Sequence, residues 1–122
     1  MSLINKNSKV SQIKYTGNSE PATIHNVQVG TIITYAYSYN CRIPIFARVI
    51  KRTNSSVQIE ELEKMITSDD GYGQNGKCKA NLEGKTQVIN KQFRFKRNTG
   101  RLVINGRLAY IYRGFEEDFY SD

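Results

Sequence analysis

The chain has 122 residues, 39% of them hydrophobic and 11% aromatic, with two Cys, one His, no Trp and a formal net charge of +7. That length builds one hydrophobic core and not two, and no apolar run approaches the roughly 20 residues of a membrane-spanning helix. Cys41, Cys78 and His25 fall short of the ligand set of a zinc site, so neither a metal nor any other cofactor is expected.

Residues 1–28 are polar, contain Gly17 and Pro21, and show no sustained period, which predicts a loose arm with at most one short strand. Its Lys6, Lys9 and Lys14 could trail along a phosphate backbone. The first residues lack the continuous apolar stretch of a secretory signal, so a cytoplasmic location and reduced thiols at both cysteines are expected.

A first strand is predicted over residues 31–39, where Tyr35, Tyr37 and Tyr39 alternate and therefore share one face. Such a ladder suits half-buried sheet packing and equally a stacking platform for unpaired bases. Residues 42–50 return as a second strand, with Pro44 tolerated near its start or on an edge, and residues 51–56 make the turn. Residues 57–66 read both ways: Val57 and Ile59 alternate as in a strand, whereas Leu62, Met65 and Ile66 have helical spacing. A strand from Val57 is preferred. Residues 67–87, dense in Gly, Asp and Asn, predict a long irregular loop.

Phe93 and Phe95 then alternate with Arg94 and Lys96, placing two rings inward and two cations outward, with Arg97 at the rim. Asn105-Gly106 between two apolar runs is a strong two-residue hairpin signal, because both central residues of a type I′ turn need positive φ. That turn pairs Ile104 with Arg107, Val103 with Leu108 and Leu102 with Ala109. Apolar residues on both faces of this ribbon predict an interior position. The predicted core comprises Ile32, Val49, Val57, Ile59, Phe93, Phe95, Leu102, Ile104, Leu108 and Ile111. The expected fold is mainly β, a small SH3-like barrel of five or six antiparallel strands over residues 29–116, between the arm (1–28) and an acidic tail (117–122).

Charge is segregated along the chain. Residues 1–52 carry seven Lys or Arg against Glu20, and residues 77–113 carry ten against Glu83, whereas residues 53–76 and 114–122 are acidic. Such an excess serves solubility, nucleic-acid binding or an acidic protein partner.

The run 30–39, Gly-Thr-Ile-Ile-Thr-Tyr-Ala-Tyr-Ser-Tyr, continues as Asn-Cys-Arg-Ile-Pro-Ile-Phe-Ala-Arg-Val-Ile-Lys-Arg to residue 52. It resembles a group of small phage and mobile-element proteins that carry a Gly-x-Ile strand, an aromatic-x-Tyr turn, a Phe-x-x-Val-Val strand and a basic turn. The likeness extends through Asp70-Gly71-Tyr72 and the terminal hairpin, over residues 29–116. The polar turn of that group is replaced here by residues 40–43. The resemblance implies a compact SH3-like barrel in a phage or mobile-element setting.

Enzyme signatures are missing: there is no phosphate-binding glycine loop and no nucleophile–base–acid set. Asp70 with Glu83-Gly84-Lys85 has the residue types of a Mg²⁺-dependent nuclease, but in a Gly-rich loop rather than on adjoining strands. A non-enzymatic role follows, in one of two classes. In the first, Arg42, Lys77, Lys79, Arg94, Lys96, Arg97, Arg101 and Arg107 contact phosphates while Tyr37 or Tyr39 stacks on a base. In the second, the same basic face docks on an acidic or nucleic-acid-binding host protein.

Overall fold

The computed structural model describes residues 15–38 and 40–120. Eight strands form in chain order: β1 (Ile32–Tyr37), β2 (Ile43–Arg52), β3 (Ser56–Asp69), β4 (Asn75–Arg94), β5 (Val103–Ile104), β6 (Arg107–Leu108), β7 (Tyr110–Ile111) and β8 (Glu117–Tyr120). No helix occurs among the described residues. Six strands make one antiparallel sheet in the order β7-β1-β2-β3-β4-β8, and β5-β6 is a separate ribbon. The sheet curls into a half-barrel.

Two clusters sit on its opposite faces. Ile33 and Tyr35 of β1, Ala47 and Val49 of β2, Val57 and Ile59 of β3 and Phe93 of β4 fill the larger one with Phe95, Leu102, Ile104 and Ala109. Their neighbours at odd spacing point the other way. Phe46, Leu62, Cys78 and Ala80 form the smaller cluster, against which Ile32, Tyr112 and Phe119 pack. The Phe46 and Tyr112 rings meet edge-to-face, with centroids 5.0 Å apart.

Isolated bridges close the curl over the larger cluster. Phe95 bridges Leu102, Thr23 bridges Arg101 and Pro21 bridges Tyr110, so residues 20–23 complete the wall between the ribbon and β7. Ala22 and Val27 are buried there, so the second half of the expected loose arm is part of the barrel; Lys6, Lys9 and Lys14 lie outside the described residues. On the other face β8 pairs with the start of β4 and meets Arg42 through a Tyr120 bridge, closing a smaller ring. The segment read as an acidic tail thus contributes a strand.

Several local expectations hold. Asn105 and Gly106 have φ of 52° and 79°, and the ribbon register is Ile104 to Arg107 and Val103 to Leu108. Pro44 pairs with Ala36 where β3 has not yet joined β2, a stretch paired on one side only. Phe93 and Phe95 are buried while Arg94 and Lys96 are exposed; Arg97, expected at the rim, is instead exposed on the turn that follows the strand.

Two further expectations are corrected. Leu108 is 43% exposed, because only the face of the ribbon bearing Leu102, Ile104 and Ala109 turns inward. The loop expected over residues 67–87 is instead a long hairpin: β3 runs to Asp69, β4 starts at Asn75, and Gly71 and Gly73 supply the positive φ of a short turn. The register steps from Leu62–Thr86 to Glu63–Asn81, leaving residues 82–85 as a bulge. A Cβ at Gly84 would lie 2.7 Å from the Asn81 amide nitrogen and 2.8 Å from a Glu63 carboxylate oxygen, both ends of side chains that can turn aside, whereas a Cβ at Gly76 would run into the Ser68 and Asp69 backbone.

Candidate functional site

The basic strand ends at one pole of the barrel. Ser56 pairs with Arg94, Val57 with Phe93 and Gln58 with Lys51 and Gln92 across β2, β3 and β4. Val57 and Phe93 face the core, so Gln58, Gln92, Arg94 and Lys51 share the outer face, the two cations two strands apart, or about 10 Å. Beyond β4 the Phe95 amide donates to the Ser55 carbonyl at 3.0 Å, and a tight turn brings Gly100 N–H to the Lys96 carbonyl at 2.8 Å. Lys96 and Arg97 stand on that turn, beside a shallow cleft whose other wall is Ile24, His25 and Ser55.

Arg52 holds this pole together rather than serving it. Its Nε and Nη2 donate to the carbonyls of Val27 at 3.0 Å and Ile24 at 2.9 Å, and the guanidinium lies 4.6 Å from the centre of the Phe95 ring. Lys91 similarly covers Phe93 at 5.4 Å. Lys51, Lys91 and His25 were not selected from sequence. The basic turn around residue 51 carried a signal, but only strand pairing shows which cations it joins.

Of the other cations expected to bind, two are held by acids. Arg42 forms an ion pair with Glu117 at 2.7 Å and donates to the Asp118 carbonyl at 2.6 Å, and Lys77 pairs with Asp118 at 2.7 Å. The Lys77 ammonium accordingly holds the Asp118 carboxyl below its usual range, and Asp118 raises Lys77. Lys79 is half-buried on the distal part of β4, opposite Met65. Arg101 lies on the barrel seam 5.5 Å from the Tyr110 ring, its Nε and Nη2 fully enclosed and unable to reach a phosphate.

Tyr37 and Arg107 occupy the opposite mouth. Tyr37 pairs with Ile43 at the start of β2, whereas Lys51 and Arg52 end it. A 10-residue strand separates these ends by about 30 Å. The structure therefore does not join Tyr37 to Arg94, Lys96 and Arg97 in one patch. Tyr37 is 47% exposed, and the Arg107 guanidinium stands 4.9 Å from its ring centre. Tyr39 lies outside the described residues.

The acid pair considered for metal-dependent chemistry is not assembled. Asp70 caps its own turn, accepting from the Tyr72 amide at 2.9 Å and the Asn75 side chain at 3.0 Å, bonds that lower its pKa. Glu83 sits in the bulge of β4. Among the described residues no three His, Cys, Asp or Glu side chains converge, and no helix is long and apolar enough to cross a membrane. No family model matches the chain, and no curated protein and no solved structure matches it.

Proposed function

We propose that this protein is a non-enzymatic nucleic-acid-binding accessory module, in keeping with the phage or mobile-element setting that its resemblance implies, and that it grips the phosphate backbone with the pole formed by Lys51, Arg94, Lys96 and Arg97. The observation that carries this reading is where the acids go. Among the described residues the ion pairs engage Arg42, Arg48, Lys77 and Arg113, and none of them reaches this pole. Exposed cations on a rigid sheet end and an adjoining tight turn form a surface that neutralises phosphates at little ordering cost.

A second reading, docking on a host protein, draws support from the β3–β4 hairpin. Its edges beyond the barrel expose Met65, Ile66 and Leu82, and an unpaired edge can accept an added strand.

Fluorescence anisotropy with a labelled duplex and a labelled single strand, across a salt series, tests the first reading. Each phosphate contact contributes about 0.9 to the slope of log affinity against log salt. Replacing Arg94, Lys96 and Arg97 together by Ala is expected to flatten that slope by up to about 2.7, with thermal stability nearly intact because exposed charges contribute little to folding. Wild-type protein that binds neither probe at low ionic strength would end the reading, and nuclease-resistant, stoichiometric capture of one acidic host protein would establish the second.

A further inference from the structure

The mouth of the barrel opposite the basic pole holds a cavity of about 210 Å³ lined by Tyr35, Tyr37, Ile45, Asn105 and Arg107. Barrel mouths are common ligand sites, but those for drug-sized molecules run to roughly 300–1,000 Å³, so this one has room for one planar group no larger than a fused bicyclic base. Each wall has a sequence cause. Tyr35 and Tyr37 share the inner face of β1 by the period of two, and Tyr35 pairs with Ile45 across to β2. The left-handed φ angles of Asn105 and Gly106 make the tight turn that delivers Arg107 over Tyr37.

Two polar groups here have unspent hydrogen-bonding capacity. Tyr35 is only 7% exposed, and its hydroxyl bonds to none of the described residues. Its side chain lies on the face of Tyr37 and Ile45, which is the cavity side. Burial, with the Glu61 carboxylate nearby, pushes its pKa up to about 12, so it stays a protonated phenol that can donate. Arg107 forms no ion pair among the described residues. A guanidinium stacked on a ring keeps its N–H donors in its own plane, directed past the ring.

We infer that this mouth is a binding subsite for an unpaired guanine base, stacked against Tyr37 and read on its acceptor edge by Arg107 and the Tyr35 hydroxyl. Guanine presents two adjacent acceptors, O6 and N7, matched by the two-pronged donor of Arg, and its ring supplies the flat apolar face that Tyr37 and Ile45 leave uncovered. The inference rests on the nucleic-acid reading only for the identity of the ring. It also deepens that reading: a base must leave the duplex to enter the mouth, so the two ends of the barrel would favour single-stranded or looped nucleic acid long enough to span about 30 Å.

The test uses the full chain and mononucleotides, which address the mouth without a polymer. In a titration followed by NMR, GMP is expected to shift Tyr37, Ile45 and Asn105, AMP to bind there about tenfold more weakly, and ribose 5-phosphate to leave the mouth untouched. Arg107→Gln should weaken the GMP response at the mouth at least tenfold, and Arg107→Lys, which keeps the charge and loses the fork, nearly as much. Preserved spectral dispersion in both variants guards against a folding artefact. Shifts by GMP and ribose 5-phosphate confined to the Lys96–Arg97 turn would overturn this inference while leaving the polyanion reading standing. Shifts at the mouth alone would do the reverse, and a mouth response unchanged in both Arg107 variants would remove Arg107 as the reader and the inference with it.

Discussion

The two ends of β4 carry the same kind of side chain and meet opposite fates. Lys77 near its start is paired with Asp118 of β8, and Arg42 opposite is held by Glu117. Arg94 at its end, with Lys96 and Arg97 just beyond, has no acid opposite it among the described residues. A basic residue is thus available or silent according to where a strand some 40 positions away docks. Count and spacing of cations say little about which of them can bind.

The largest expected break in that contrast is structural. Phe95 is 7% exposed, lies under Arg52 and bridges Leu102 where the barrel closes. Phe95→Ala should cost about 3–5 kcal/mol, enough to unfold a domain of ordinary stability, as a melting curve or urea titration will register. An unchanged midpoint would mean that the basic pole is not built on this ring.

Next in size, Phe119→Ala sharpens the comparison by loosening β8, whose Phe119 packs on the smaller cluster. Freed of Glu117 and Asp118, Arg42 and Lys77 would join the binding surface, and the salt slope should steepen by up to about 1.8, two contacts' worth. Replacing Arg42 and Lys77 by Ala in the otherwise native chain should leave the slope alone, since both cations are already engaged. A slope flattened by that pair would show that the acidic strand does not silence them.

Tyr35 sets the alkaline limit of the mouth. Its phenol, raised to about 12, is protonated in the fold when an unfolded chain would already lose the proton near the ordinary tyrosine value of 10.0. Its stabilisation is therefore complete below that value and is lost as pH climbs through about 12. Tyr35→Phe should flatten the alkaline decline in Tm and remove the latest phase of phenolate absorbance, apart from that of Tyr112, which burial also raises. If the absorbance curve keeps its full late phase, Tyr35 does not supply it.

The smallest effect belongs to Asp118. Its depressed pKa means that whatever it contributes is present above the ordinary aspartate value of 3.8 and fades as pH falls below it. Because the pair is exposed, Asp118→Asn should change Tm little at neutral pH and should blunt the acid limb only slightly. A large loss at neutral pH would contradict a surface ion pair.

Much of the barrel was legible because the forces that set it are local. Alternation at 93–96 told inside from outside, and Asn105-Gly106 specified both turn and register. The distal hairpin was not legible at first reading. Its turn residues stood out, while its strands are solvated on most positions and show little alternation. The buried pair Cys78 and Ala80 between Lys77, Lys79 and Asn81 was the period-two signal that could have revealed it. The mouth was half legible: Tyr37 and Arg107 could be picked as residue types, whereas their stacking depends on the ribbon folding back across β1.

What the sequence by itself determined is therefore an all-β chain, its tight hairpin, the inward rings of its basic strand and the excess of positive charge. Only the tertiary structure decided which face of the ribbon is wet, that residues 20–23 complete the wall, and that β8 neutralises Arg42 and Lys77 while the far end of β4 stays bare. The reason is range: pleat and turn chemistry act between residues a few positions apart, whereas strand closure and ion pairing join distant segments, 41 positions apart for Lys77 and Asp118 and 75 for Arg42 and Glu117.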